Sequence, residues 1–348
     1  MTAITTAPSI LRIDDLVVRF AMARAWTDRL TGKPQRVVHA LNGITLDLRR
    51  GETLGIVGES GCGKSTLARA IVRLIDPSAG RVVFDGIDIA TLHGSDRRAF
   101  NRRVQMVFQD PYGSLNPRMT VRQVLTEALS VHRMRPSADI PARVAELLDL
   151  VRLPTDAADR LPHEFSGGQR QRIGIARALA VEPDILVADE LVSALDVSVQ
   201  AQVVNLLLEL QNRLNLTVLF VAHDLRLVRH FSHRVAVMYL GAVVEIGDAE
   251  AVFSAPRHPY TRALIDAAPE MDPGRRSRAP AVRGELPSPV NLPSGCAFHT
   301  RCPHAFDRCI TERPVLTTRG DGHLAACHLS AFGDPAASPE PAPTRSDP

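Results

Sequence analysis

Gly58-Glu59-Ser60-Gly61-Cys62-Gly63-Lys64-Ser65-Thr66 is the stretch on which the fold turns. It fits G-x-x-x-x-G-K-[ST]. It lies between Thr53–Val57, an apolar run of strand length, and Leu67–Leu74, whose apolar residues recur at helical spacing. The glycines let backbone N–H groups turn toward phosphate oxygens, and the helix N-terminus adds the positive end of its dipole. Lys64 then reaches the β- and γ-phosphates, and Ser65 is placed to ligate Mg²⁺. An ordinary glycine-rich turn accounts for the loop but not for its flanks.

Further strand-length apolar runs follow at Val104–Phe108, Ile185–Ala188 and Thr217–Val221, with helical patterns between them. Strands alternating with helices imply a parallel α/β sheet. Ile185–Ala188 delivers Asp189 and Glu190 to its C-terminal end, the edge where open α/β sheets bind ligands. Asp189 suits the Mg²⁺ site, and Glu190 suits a general base polarising the attacking water. Val203, Leu206, Leu207, Leu210 and Leu214 mark one buried helix face. Phe165-Ser166-Gly167-Gly168-Gln169-Arg170-Gln171 opens another helix; by itself it reads as a Ser N-cap followed by glycines.

Upstream, Ile10–Phe20 and Ala40–Leu48 alternate apolar and polar residues and predict a small antiparallel sheet. Residues 21–39 between them hold Trp26, the only tryptophan, with Arg24, Arg29, Lys33 and Arg36; a solvated hairpin loop is preferred over a membrane- or partner-touching patch. Residues 111–165 are mostly helical by pattern and read as an inserted helical subdomain, taken to extend to about 178. The resulting division is a nucleotide-binding domain over 10–255, an extension over 256–330 that begins with a proline-rich linker, and a disordered tail over 331–348.

Composition narrows the function. The 348 residues carry 41 Lys+Arg against 38 Asp+Glu, a formal charge of +3, too small an excess to leave a nucleic-acid footprint without clustering. No apolar run approaches the length that spans a bilayer, and Met1–Asp14 lacks the layout of a secretory signal, so a cytoplasmic location is expected. Cys62 stands alone. Cys296, Cys302, Cys309 and Cys327 are grouped as C-x5-C-x6-C-x17-C, with His299, His304, His323 and His328 interleaved. Four thiolates suit Zn²⁺ or an iron–sulfur cluster, with reduced unligated thiols as the third reading.

In their order along the chain, the phosphate loop, Gln109, Ser166–Gln169, Asp189-Glu190, Ser193-Ala194-Leu195-Asp196 and His223 resemble the ATP-binding cassette (ABC) family. Gln105–Thr120, His163–Ala178, Val221–Arg229, His258-Pro259-Tyr260-Thr261 and the C-terminal cysteines resemble more closely the ATPase subunits of oligopeptide and dipeptide importers, and among these the second, partner-type subunit. The resemblance implies a P-loop NTPase core of RecA type. It also implies MgATP hydrolysis and a head-to-tail ATPase pair in which Ser166, Gly167, Gly168 and Gln169 meet the γ-phosphate held by the other subunit. Gln109 then contacts Mg²⁺ and the attacking water, His223 senses the γ-phosphate, Asp196 joins the two sites, and Phe20 stacks on adenine, with Trp26 or His39 as competitors. The implied partners are a second ATPase, two permease subunits and an extracytoplasmic binding protein, at the cytoplasmic face of the membrane. The cysteine pattern implies a structural 4Fe–4S cluster, with Zn²⁺ as the alternative. One departure is visible: Leu191 follows Glu190 where the family usually has proline, which leaves the turn holding the Glu free of proline's fixed φ. ATPases of nickel-chelate or glutathione importers look alike. Soluble cassette ATPases of DNA repair or translation would show a coiled-coil insertion or a second cassette, and the chain has neither.

Overall fold

The computed structural model describes residues 8–24, 35–110, 113–193, 195–267, 284–320 and 322–329. Trp26 and Lys33 in the first hairpin loop, most of the proline-rich linker and the 331–348 tail lie outside them.

β1 (Ser9–Ala21) and β2 (Val37–Arg49) pair antiparallel, with Leu16 opposite Ile44 and Phe20 opposite Val38, as the alternation predicts. β3 (Thr53–Val57) is buried at every residue and leads through the glycine loop into α1 (Lys64–Ile71). β4 (Ala79–Phe84) and β5 (Ile87–Asp88), which the apolar pattern does not announce, complete a four-stranded sheet in the order β2-β1-β4-β5. After α2 (Gly94–Arg103) the chain enters β6 (Val104–Val107).

The helical insertion consists of α3 (Val121–Val131), α4 (Ile140–Leu150) and short 3-10 turns, followed by α5 (Gly167–Leu179). Thr120 and Gln123 form a reciprocal capping box that starts α3. Then come β7 (Ile185–Asp189), α6 (Val197–Leu214), β8 (Thr217–Val221), α7 (Leu225–Phe231), β9 (Arg234–Tyr239) and β10 (Ala242–Asp248). The extension supplies α8 (Ala249–Ser254), α9 (Pro259–Ala267), α10 (Asp307–Thr311) and two short strands, β11 (Thr317–Thr318) and β12 (Leu324–Ala325).

The second sheet runs β11-β12-β10-β9-β3-β8-β7-β6. β9, β3, β8, β7 and β6 are parallel, and β10, β11 and β12 add antiparallel pairs at one edge. A strand buried on both faces sends alternate residues to opposite cores. Leu186, Ala188, Val218 and Phe220 pack toward the helical insertion with Leu147, Leu148 and Ile173. Ile185, Val187, Leu219 and Val221 pack toward α1 and the four-stranded sheet with Leu67, Ile71, Ile13 and Ile44. This double packing fixes the heights at which the parallel strands end, and so fixes the site.

Candidate nucleotide site

Four parallel strands deliver residues to one sheet edge. Gly58 directly follows β3, Glu190 directly follows β7, and Gln109 and His223 each lie two residues past β6 and β8. Two glycines of the loop are required by space as well as by conformation. Gly58 has φ 152° and a Cβ there would lie 2.2 Å from the Met238 carbonyl oxygen, while Gly63 has φ 108° and its Cβ would lie 2.5 Å from that of Ala40.

Lys64 is 4% exposed, and its Nζ donates to the carbonyl oxygens of Gly58 at 2.8 Å and Glu59 at 3.1 Å. The ammonium is thereby folded over the loop that its own backbone N–H groups build. Ser65 Oγ donates to Asp189 Oδ1 at 2.9 Å, so the hydroxyl and the carboxylate meet although 124 residues separate them. Burial pushes the Asp189 carboxyl above the usual carboxylate range against the Ser65 hydrogen bond, and the Glu190 charge beside it adds to the rise. A carboxylate so deprived of water is chemically suited to a divalent cation. Cys62 is fully buried within the loop, and burial raises its thiol pKa.

Glu190 has φ 46°; its N–H donates to the Val221 carbonyl at 2.9 Å, and its carbonyl accepts from Ser193 N–H at 3.1 Å and Ser193 Oγ at 3.0 Å. Leu191 is 2% exposed in the core beside the helical insertion. Three hydrogen bonds and a buried isobutyl group thus hold the turn where the family usually has proline. Gln109 and His223 are exposed at the same edge. Phe20 is 40% exposed on β1, opposite Val38 and so two residues along β2 from Ala40, whose carbonyl faces the phosphate loop.

Ser166 caps α5 with a reciprocal capping box: its Oγ accepts from Gln169 N–H, and Gln169 Oε1 accepts from Ser166 N–H at 3.0 Å. Gly168 permits close packing, since a Cβ there would lie 2.3 Å from Val199 Cγ1. Asp196 caps α6 by accepting from Val199 N–H at 2.9 Å and Ser198 Oγ at 2.7 Å, which hold its carboxyl below the usual range. Among the described residues, no hydrogen bond joins Ser166–Gln169 to this chain's own phosphate loop.

The cysteine module departs from expectation. Cys296, Cys302, Cys309 and Cys327 are free thiols, and among the described residues no three His, Cys, Asp or Glu side chains come together to hold a metal ion. The structure therefore gives neither the 4Fe–4S cluster nor Zn²⁺ any support. Three of the interleaved histidines have other partners: His323 Nε2 meets Glu245 Oε1 at 2.7 Å, His328 Nε2 meets the Glu312 carbonyl at 2.9 Å, and His299 Nδ1 meets that of Cys296 at 2.8 Å. Burial pushes the Cys302 thiol up to about 12 and that of Cys327 to about 11, and neighbouring cysteine charges add to both.

Sequence reasoning missed Tyr239 and Arg301 as neighbours of the loop and gave its Glu59 no part. Arg301 Nη1 lies 3.0 and 3.1 Å from the Glu59 carboxylate oxygens, and Tyr239 packs beneath with ring centroids 4.7 Å from Tyr260 and 5.2 Å from Phe298.

Comparison with known proteins fits this geometry. Residues 41–193 match the ABC transporter family, and residues 244–309 match the oligopeptide/dipeptide transporter C-terminal region. A probable peptide ABC transporter ATP-binding protein of Sinorhizobium fredii is 50% identical over 93% of this chain and 90% of its own. An oligopeptide transport ATP-binding protein of Bacillus subtilis is 47% identical over 92% of this chain and 97% of its own. Among solved structures, cbiO1 of Clostridium perfringens, part of an ABC transporter complex, superposes with a TM-score of 0.60 at 30% identity, covering 71% of this chain and 91% of that one. A dimeric ATP-binding cassette bound to ADP and Pi gives 0.59 at 28% identity, covering 69% of this chain and 98% of that one. The chain belongs to the ABC transporter ATPases, in the branch that carries the oligopeptide/dipeptide transporter C-terminal region.

Proposed function

We propose that the protein is the ATP-hydrolysing subunit of a membrane importer of di- and oligopeptides, working at the cytoplasmic face with a second ATPase, two permease subunits and, indirectly, an extracytoplasmic binding protein. The observation that carries the catalytic part is the Ser65–Asp189 hydrogen bond at 2.9 Å, with Lys64 and Glu190 at the same sheet edge. The peptide part rests on relatives named for peptide transport and on the C-terminal region they share. Among the described residues no helix is long and apolar enough to cross a membrane.

Backbone N–H groups of residues 61–66 hold the phosphates, and Lys64 leaves its two carbonyl acceptors for phosphate oxygens. Ser65 and Asp189 would hold Mg²⁺, which when bound neutralises charge developing on the phosphates. Glu190 takes the proton of the attacking water, Gln109 orients that water, and His223 reads the γ-phosphate. Phe20 stacks on adenine. Ser166, Gly167, Gly168 and Gln169 complete the site of the opposing ATPase, to which Asp196 connects. This accounts for a signature turn bonded to itself rather than to its own phosphate loop.

Slow ATP hydrolysis by the isolated subunit, a rise on assembly and ATP-dependent peptide uptake by the complex would support the proposal; equal rates for isolated and assembled subunit, or assembled complex without peptide uptake, would refute it. A 4Fe–4S centre on Cys296, Cys302, Cys309 and Cys327 is the finer reading of the module, preferred to Zn²⁺. Its support is the family resemblance of the cysteine pattern, while among the described residues no three His, Cys, Asp or Glu side chains form a metal-holding group. Iron and acid-labile sulfide after anaerobic purification would establish the cluster; zinc without sulfide, or neither, would exclude it.

A further inference from the structure

Glu59 stands inside the phosphate loop and is gripped by the C-terminal extension through two of its groups. Its N–H donates to Tyr260 Oη at 2.9 Å, and its carboxylate receives Arg301 Nη1 at 3.0 and 3.1 Å. Its carbonyl serves the loop itself, accepting from Lys64 Nζ at 3.1 Å and from Cys62 N–H at 3.2 Å. One residue thus links the extension to the phosphate-binding ammonium.

The grip is built on rigid parts. The Arg301 side chain is 6% exposed, against 26% for Glu59, and its Nη2 donates to the Gly284 carbonyl at 3.0 Å. Tyr239, Tyr260 and Phe298 pack as a buried aromatic triad with centroid separations of 4.7 to 5.3 Å, and Tyr239 ends the strand beside β3. Behind Tyr260, His258 Nδ1 accepts its N–H at 3.0 Å, and the buried Glu245 accepts the N–H groups of Arg257 and His258 at 2.6 and 2.9 Å and meets His323 at 2.7 Å. These contacts run without a break from β12 to the phosphate loop.

A carboxylate in a loop that binds a polyanion opposes the ligand unless a cation offsets it. We infer that Arg301 is a positioning residue for nucleotide binding: by neutralising and fixing Glu59, the C-terminal extension sets the affinity of the phosphate loop for MgATP. The effect of Arg301 on nucleotide runs through Glu59, so removing the Glu59 charge is expected to recover most of what is lost with the arginine. The inference rests on the phosphate loop being the ATP site.

Arg301→Ala is expected to raise the KM and the Kd for MgATP about tenfold with kcat within about twofold. Glu59→Gln added to Arg301→Ala is expected to recover most of that loss, because the amide keeps the shape without the charge. Lost packing alone would lower the melting temperature and would not be rescued by Glu59→Gln. Should Arg301→Ala fail to fold, Tyr260→Phe, which removes only the hydroxyl accepting the Glu59 N–H, is expected to weaken binding about threefold. Binding is read with a fluorescent ATP analogue in the presence of Mg²⁺. Wild-type affinity in Arg301→Ala, or equal weakness in the single and double variants, would overturn the inference, as would unaltered binding in Tyr260→Phe if that variant has to serve. Failure of the wild-type protein to bind the analogue would overturn the ATPase reading itself.

Discussion

Lys64→Ala perturbs the phosphate loop most directly. In the structure the ammonium is 4% exposed and spends its donors on two neutral carbonyl oxygens, at 2.8 and 3.1 Å. Nucleotide binding exchanges those acceptors for anionic phosphate oxygens. Both sets of bonds involve the charged ammonium, whose hydrogen bonds are worth about 1.5–3 kcal/mol, but only the phosphate bonds have an ionised acceptor as well; the exchange moves toward the strong end of that range and gains roughly 1–2 kcal/mol. Attraction to the rest of the triphosphate adds about another 1 kcal/mol once the desolvation of both partners is deducted from a gross value of about 4 at effective dielectric 20. The sum, about 2–3 kcal/mol, corresponds to a Kd for MgATP raised roughly 30- to 150-fold. Titration calorimetry with MgATP measures it, with thermal melting to establish that the variant is folded. Lys64→Arg should fall between, since it keeps the charge but not the compact ammonium. A folded Lys64→Ala protein whose Kd lies within about threefold of wild type would refute the reasoning.

Leu191→Pro should destabilise the core by about 2 kcal/mol and slow turnover, because it deletes a side chain that is 2% exposed and drives Glu190 away from φ 46° toward extended backbone. A melting temperature and turnover equal to wild type would show that the turn accepts proline freely. His258 is 1% exposed and burial holds its pKa down to about 3, while the unfolded chain titrates near 6.5. Below pH 6.5 the unfolded state binds a proton that the folded state refuses, so stability is lost as pH falls from about 6.5 toward 3. Hydrogen exchange in the extension should report an opening free energy about 2 kcal/mol lower at pH 5 than at pH 7.5, and an unchanged value would contradict the buried neutral imidazole.

The parts of the fold that could be read from sequence are those whose burial is uniform. β3 and β8 are buried at every position, so each reads as an unbroken apolar run with the bounds the structure shows. The long face of α6 is likewise visible from Val203 to Leu210, whereas Leu214, read as part of the same buried face, is 41% exposed at the helix end. β4 escaped because it opens with exposed Ala79, Gly80 and Arg81 and buries only Val82 and Phe84 fully. The β9–β10 hairpin escaped for a different reason. Its two-residue turn is Leu240-Gly241, both at positive φ, where the usual signal is Asn or Asp before Gly.

The site divides in the same way. Ser65 and Asp189 were each marked by a local pattern, and the structure joins them. Arg301 and Glu59 lie 242 residues apart; Glu59 carries no local signal because the positions between the glycines of a phosphate loop can hold almost any residue, and Arg301 belongs to no nucleotide motif. The histidines among the C-terminal cysteines were equally silent. Their sequence gives no sign of their partners, and His323 is committed to the buried Glu245, 78 residues away.

The most direct test of the account is single-turnover ATP hydrolysis by the assembled transporter carrying Glu190→Gln. The amide keeps the shape of the turn and the hydrogen bonds of the Glu190 backbone to Val221 and Ser193, while removing the carboxylate proposed to take the proton from water. Bound ATP retained at wild-type affinity with hydrolysis reduced by roughly 100-fold or more is the result the account predicts. Hydrolysis near the wild-type rate, with ATP still bound, would contradict it.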